Sequence, residues 1–365
     1  MADTSTKPYF KNFDGLRAIA ATLVFIWHVE LHKHHLNTAN IFIPDTGFIG
    51  VTIFLVLSGF LITYLLMQEK DINEDINYKK FYMRRVLRIW PLYFLILLTA
   101  YFIYPANMSP KGLLLGLFFL PNFAILAGLL PAVIDPIWSI GVEEQFYLVQ
   151  PHIIRLIKKE NIAWIFILLL IINYTLRYVL RNFYSDVHML HNIEFALSYF
   201  RFDCLIIGSL MALFYYNEKY NYFNTWATSF IFSKTMQVVS LCAFIAFITF
   251  KNKYPHVFDN EMLTVIAAII IVNLAQQETS LISLNNKFLN YLGRISYGFY
   301  LLHKIPLFFI LFIAGKYLAD YNNVYVNIFI YVFSFGLSVL LAGLSFKYYE
   351  SYFLKFKNKY SAIKH

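Results

Sequence analysis

The chain has 365 residues, of which 59% are hydrophobic and only 14% charged, with 38 Phe, 28 Tyr and a mean hydropathy of +0.57. This balance excludes an ordinary soluble domain and reads as an all-α, polytopic membrane protein. A formal net charge of +9 and a pI near 9.2 do not imply nucleic acid, because the cations lie in loops between apolar spans, where the positive-inside rule accounts for them.

The N-terminal stretch MADTSTKPYFKNFD is short and polar and runs straight into a span without a small-residue cleavage site. The first helix is therefore expected to stay as an anchor. About ten crossings are predicted, over 13–32, 47–67, 86–105, 138–157, 161–181, 195–216, 235–251, 260–276, 293–314 and 324–346, each near the ~20 residues that cross a hydrocarbon core. One further apolar segment, 112–130, is interrupted at Pro121-Asn122. It is read as re-entrant or cavity-lining, since counting it as a crossing inverts the topology of everything after it. With the N-terminus inside, Lys79, Lys80, Arg84, Arg85, Arg88, Arg155, Lys158 and Lys159 fall on the inner side, as do the lysines from Lys347 to Lys364. Outer segments hold few cations, among them Lys33, Lys111 and Lys316. Both termini are thus expected in the cytoplasm. The chain reads as one membrane domain, 1–365, with a short N-terminus over 1–12 and a basic cytoplasmic tail over 347–365 suited to anionic lipid. Cys204 and Cys242 both fall in spans, which leaves no disulfide framework and no CxxC metal pattern.

Taken in chain order, the first candidates are Arg17 and His28 in FDGLRAIAATLVFIWH. At ~100° and ~1.5 Å per residue they lie within ~20° of one helix face, about 16 Å apart. The residues between them are apolar, and ionisable groups inside a span are costly and usually line a cavity or pathway. His28, His32, His34 and His35 follow closely, and His28 and His32 stand at i and i+4. With no HExxH and no paired partner, a solvated cluster at the helix end is expected and no metal site. The second span carries Gly50, Ser58 and Gly59. The glycines suit close helix packing, and the Ser58 hydroxyl is expected either to pack or to face the same cavity as His28. Arg85 and Arg88 are neighbours on a helical turn at the inner mouth of a span. They suit either a topogenic cluster or a phosphate-bearing ligand.

In DPIWSIGVEEQFYLVQP, adjacent Glu143 and Glu144 follow Trp138 and precede Tyr147. Two neighbours on a helix cannot point the same way, so one is expected to face a cavity and the other to bond elsewhere. A membrane carboxylate facing a histidine suits general acid–base work, and pairing with a membrane arginine is the structural alternative. Arg201 and Asp203 open the sixth span, and at i and i+2 they are not expected to face each other. His303 and Lys304 lie mid-span, where Pro306 is expected to kink the helix.

These blocks together resemble the acyltransferase-3 family, polytopic membrane proteins that acylate bacterial surface and secreted glycans. The resemblance covers essentially the whole chain and rests on FDGLRAIAATLVFIWH, with its Arg, ten residues, then His; FLVLSGFLIT; RRVLRIWPLY, with its Arg-x-x-Arg; IWSIGVEEQFY; RFDCLIIGSL; and LGRISYGFYLLHKIP, in this order. Ile140 replaces a usual Leu, and Cys204 a common Gly. The family implies transfer of an acetyl or other short acyl group from cytoplasmic acyl-CoA, as co-substrate with no bound cofactor, to a hydroxyl of a cell-surface or exported glycan or lipid-linked glycan. It implies catalytic roles for His28 and Glu143, with Glu143 orienting His28, and donor binding by Arg17, Arg85 and Arg88. Ser58, Trp138, Tyr147, Arg201, Asp203 and His303 are expected to line the cavity. It also implies the bacterial cytoplasmic membrane and lipid contact. Many members carry an extracytoplasmic hydrolase-like domain after the membrane part. This sequence ends at His365 and is expected to act as a stand-alone member or to hand its acyl group to a separate extracytoplasmic transferase.

Two other classes fit parts of the pattern. A secondary transporter or exporter would suit ten spans with membrane Arg, His and Glu, although no repeat relates the halves. A lipid-binding scaffold would make all these polar groups structural.

Overall fold

A computed structural model describes residues 10–36, 46–183, 200–216, 223–250, 259–318 and 323–360. The regular secondary structure of the described residues is all helical, with no strand among them. In chain order the helices are α1 (Lys11–His32), α2 (Thr46–Asn73), α3 (Tyr78–Ile103), α4 (Pro110–Leu117), α5 (Pro121–Leu126), α6 (Ile137–Leu156), α7 (Lys159–Phe183) and α8 (Phe202–Tyr215). They continue with α9 (Thr225–Ile231), α10 (Lys234–Phe250), α11 (Asp259–Ala275), α12 (Lys287–Leu302), α13 (Lys304–Tyr317), α14 (Asn323–Leu344) and, after a π-helical turn over Ser345–Glu350, α15 (Ser351–Phe356).

Local chemistry accounts for several starts. The side chains of Asn77, Ser109 and Asn286 accept hydrogen bonds from the backbone N–H groups of Lys80, Gly112 and Leu289, capping α3, α4 and α12. Pro110 and Pro121 occupy the first turns of α4 and α5, where the missing N–H costs nothing.

Among the described residues, four helices are long and apolar enough to cross a membrane unaided: Thr46–Asn73, Tyr78–Ile103, Lys159–Val179 and Val324–Phe356. The expected crossing 293–314 is broken, Lys287–Leu302 meeting Lys304–Tyr317 at 63°, while the expected crossing 235–251 is one helix to Phe250, joined at 54° to the short preceding helix Thr225–Ile231. Two others, Phe202–Tyr215 and Asn260–Ala275, are shorter apolar helices. Helices α1 and α6 have 22 and 20 residues, but their polar side chains dilute their apolar length. The first residues of the expected sixth span, 195–199, lie outside the described residues.

Segment 112–130 does not form one helix. It divides at Pro121 into α4 and α5, whose 8 and 6 residues reach only about 12 and 9 Å, far short of a hydrocarbon core. Gln145 of α6 holds this element in place, donating to the Phe119 carbonyl at 2.8 Å and to Asn122 Oδ1 at 3.0 Å.

Helix α2 lies at the centre, packed against α1, α6, α8 and α11. Its apolar window is 72% buried, against 17% for α7 and 22% for the α14–α15 span, which place those two at the periphery. Helices α2 and α8 approach closely. A Cβ on Gly59 would collide with the Leu205 carbonyl, and one on Gly208 with the Val56 carbonyl. The two glycines let the helix backbones touch, as small residues do between membrane helices.

The described part of the basic tail, up to Tyr360, is helical and exposes Tyr348, Tyr352 and Phe356 while resting on α3. The helix of α14 continues through the π turn into α15, and this stretch packs along α3. Tyr349 donates to the Pro91 carbonyl at 3.1 Å, Arg84 donates to the Tyr360 carbonyl at 3.0 Å, and Glu350 is buried.

Candidate functional site

Helices α1, α2, α3, α6 and α12 surround a cavity of about 250 Å³. Of the residues singled out in the sequence, Arg17, Arg85, Arg88, Ser58, Glu143 and Tyr147 line it. Three guanidinium groups from two helices thus share the cavity with the carboxylates of Asp14 and Glu143. Arg17 is paired with Asp14 one turn away at 3.1 Å. The Arg85 guanidinium lies 5.7 Å from the centre of the Tyr147 ring and 6.0 Å from that of Phe81, within cation–π range. Its Nε–H is buried and has no hydrogen-bond partner among the described residues. A buried donor left in this state is costly unless a ligand satisfies it.

The two adjacent glutamates diverge as helix geometry requires. Glu143 points into the cavity, where Oε1 accepts from the Ser58 hydroxyl at 2.8 Å and Oε2 from the Tyr147 hydroxyl at 3.0 Å. Glu144 turns towards α3 and accepts from Trp90 Nε1 at 3.0 Å. Ser58 therefore faces the cavity.

His28 sits elsewhere. Its Nδ1 lies 2.9 Å from His303 Nε2, and its Nε2 lies 3.9 Å from Asp135 Oδ1. Lys304 Nζ donates to both Asp135 oxygens at 2.8 Å. The expected contact between Glu143 and His28 is not formed among the described residues: Glu143 bonds Ser58 and Tyr147, and His28 faces His303 and Asp135. The carboxylate that faces His28 is Asp135, on the turn before α6. His28 and His303 are not among the residues lining the cavity, but the two places adjoin. Tyr300 lines the cavity with its ring, shares a 2.8 Å hydrogen bond with Ser139, and offers its carbonyl to His303 Nδ1 at 2.8 Å.

The break between α12 and α13 makes this arrangement. Pro306 has no N–H to give the Leu302 carbonyl, and its ring crowds that carbonyl, so the helix parts three residues earlier, at His303. Consecutive residues His303 and Lys304 then reach inward together.

Four expectations about the cavity wall are corrected, the first being His303, which lies beside the cavity without lining it. Trp138 stands on the first turn of α6, where its backbone N–H donates to the Asp135 carbonyl at 3.1 Å, and it holds the Asp135 turn without lining the cavity. Arg201 and Asp203 form a separate buried cluster between α2, α8 and α11. Arg201 donates to Thr52 Oγ1 at 3.1 Å and to Thr264 Oγ1 at 3.2 Å, and its guanidinium lies 4.2 Å from the Phe48 ring centre. Arg201 and Asp203 also approach each other, at 3.6 Å. Arg201 precedes the helix with φ 42°, in the left-handed region. The helical rule that separates i and i+2 does not bind it there.

The sequence reading missed Asp135, Ser139 and Tyr300 as parts of the site. Asp135 and Ser139 lie within or beside the Trp-Ser block, and Tyr300 within the LGRISYGFYLLHKIP block. Among the remaining histidines, the rings of His28 and His32 stack with centres 6.2 Å apart. Among the described residues no group of three or more His, Cys, Asp or Glu side chains gathers as a metal site.

Comparison with known proteins bears on this geometry. The acyltransferase-3 family model, described as an acyltransferase domain, matches residues 10–345. A Staphylococcus aureus (strain COL) protein provisionally named an O-acetyltransferase is 24% identical over 370 residues, covering 95% of this chain and 58% of its own length. The chain thus spans little more than half of that relative. The peptidoglycan O-acetyltransferase OatA of Listeria monocytogenes serovar 1/2a is 30% identical over 169 residues, 42% of this chain and 25% of its own. An uncharacterized Haemophilus influenzae protein is 35% identical over 184 residues, 45% of this chain and 74% of its own. No solved structure matches.

Proposed function

Because the chain belongs to the acyltransferase-3 family, we propose that it is an integral membrane O-acyltransferase that moves an acetyl or other short acyl group from cytoplasmic acyl-CoA to a glycan hydroxyl. Its place is the bacterial cytoplasmic membrane. The observation that supports the donor is the convergence of Arg17, Arg85 and Arg88 on one cavity with a buried, unsatisfied Arg85 Nε–H. Clustered guanidiniums match phosphate oxygens in geometry and charge, and CoA carries phosphates. The listerial relative's name specifies peptidoglycan, which supports a glycan acceptor here.

The chemistry then runs along α1. The arginines hold the phosphates, and the acyl arm extends about 16 Å along the helix, from the level of Arg17 to that of His28. His28 Nε2 takes the proton of the acceptor hydroxyl as its oxygen attacks the thioester carbonyl. The new C–O bond forms, the C–S bond breaks, and the proton passes to the departing thiolate. General base assistance of this kind contributes about 10²–10⁴-fold. Asp135 faces the imidazolium while it exists. Glu143 fixes Ser58 and Tyr147 at the cavity wall.

The test is acetyl-CoA consumption by the detergent-purified protein and by His28→Ala, with thermal melts of both. Loss of turnover with an unchanged melt is expected. A folded wild type that neither binds nor consumes acetyl-CoA would overturn the donor assignment and bring the transporter reading forward.

A further inference from the structure

We propose that His303 is a positioning residue that decides which nitrogen of His28 carries hydrogen, leaving the lone pair on Nε2; this rests on the acyl-transfer reading of His28. The argument follows the hydrogens along one chain of contacts. His303 Nδ1 lies 2.8 Å from the Tyr300 carbonyl and 3.2 Å from that of Phe299. Carbonyl oxygens only accept, so Nδ1 of His303 must carry a hydrogen. In the neutral ring Nε2 then holds a lone pair and must accept. The atom facing it at 2.9 Å is Nδ1 of His28, which therefore donates; the ring is also hydrogen-bonded to the Val24 backbone one turn back, and His303 is the side-chain partner in the pair. The lone pair of His28 is left on Nε2.

Nε2 is the useful end. It points towards Asp135, whose side chain is 32% exposed, at 3.9 Å, beyond hydrogen-bond range. Asp135 accepts from Lys304 Nζ on both oxygens, and a carboxylate has no hydrogen to give the Nε2 lone pair. The opposite tautomer would turn the lone pair inward against His303 and present an N–H to the incoming hydroxyl. Such a ring cannot remove a proton.

The backbone anchor comes from the break at His303. Burial keeps the ring in place: His303 is 1% exposed, stacked on Phe299 and met edge-on by Phe25. The other titratable groups near the pair are His32, Asp135, Tyr300 and Lys304.

Two amide variants separate this role from simple packing. His303→Gln places a side-chain carbonyl near the position of Nε2, where it accepts from His28 Nδ1. His303→Asn keeps a donor for the Tyr300 carbonyl and is too short to reach His28. With acetyl-CoA as donor and water as acceptor, His303→Gln is expected to stay within about tenfold of wild type. His303→Asn is expected to lose about 10²–10⁴-fold in kcat, the range for removing a general base or its correct tautomer, with KM and melting temperature little changed. Equal activity of the two variants, whether retained or lost, overturns the positioning role. His28→Ala reports separately on the reading beneath it. If His28→Ala is inactive and His303→Asn is not, only the proposal for His303 fails; if His28→Ala retains turnover, the base assignment itself fails.

Discussion

Lys304 Nζ sits 2.8 Å from each carboxylate oxygen of Asp135, joining the broken α12–α13 helix to the turn that starts α6. The Lys304 side chain is fully buried. Removing one partner strands a charge in a place with little water, which costs about 3–5 kcal/mol in fully buried pairs. Asp135→Asn is expected to fall somewhat below that range, because Asp135 is partly exposed. The double variant Asp135→Asn/Lys304→Met should recover part of the loss. Thermal melts in detergent across the four proteins measure it, and additive losses would show that the pair does not couple.

Arg85→Gln and Arg88→Gln should each raise KM for acetyl-CoA by roughly 10- to 100-fold, in line with about 1.5–3 kcal/mol for a charged hydrogen bond. Their effect on kcat should be small. Acetyl-pantetheine, which has no phosphates, separates phosphate binding from other roles. With that donor the variants and the wild type should differ little. A defect of equal size with both donors would place the arginines elsewhere in the reaction.

Glu143→Gln tests the corrected geometry of the cavity. Since Glu143 bonds Ser58 and Tyr147 and leaves His28 to Asp135, the variant should weaken acetyl-CoA binding more than it slows turnover. His28→Ala should do the reverse. Matching kinetic losses in the two variants would favour a direct link between Glu143 and His28.

Gly59→Ala should destabilise the bundle by more than about 2 kcal/mol, because the added methyl meets a backbone carbonyl that cannot rotate away. Gly208→Ala should behave alike. Gly336→Ala, where a Cβ meets nothing within 4 Å, is the control expected to leave the melt unchanged.

The sequence by itself determined the helical class, the apolar segments, the family resemblance and part of the cavity wall, Arg17, Ser58, Arg85, Arg88, Glu143 and Tyr147. Those features are local: hydrophobic length marks a span, and Arg85 and Arg88, or Glu143 and Tyr147, share a helical turn whatever surrounds them. It also located the break near Pro306, because a missing N–H is a property of one residue. Which group faces which across the bundle was decided by tertiary structure alone. The partners of His28 come from the turn before α6 and from a residue 275 positions away, and nothing in helical periodicity selects Asp135 over Glu143. Arg201 and Asp203 look like cavity residues by type and by membrane placement, yet the α2–α8 contact through Gly59 and Gly208 and the left-handed start of α8 confine them to a cluster of their own. Periodicity fixes the face on which a side chain stands; helix packing and the position of a break decide what that face meets.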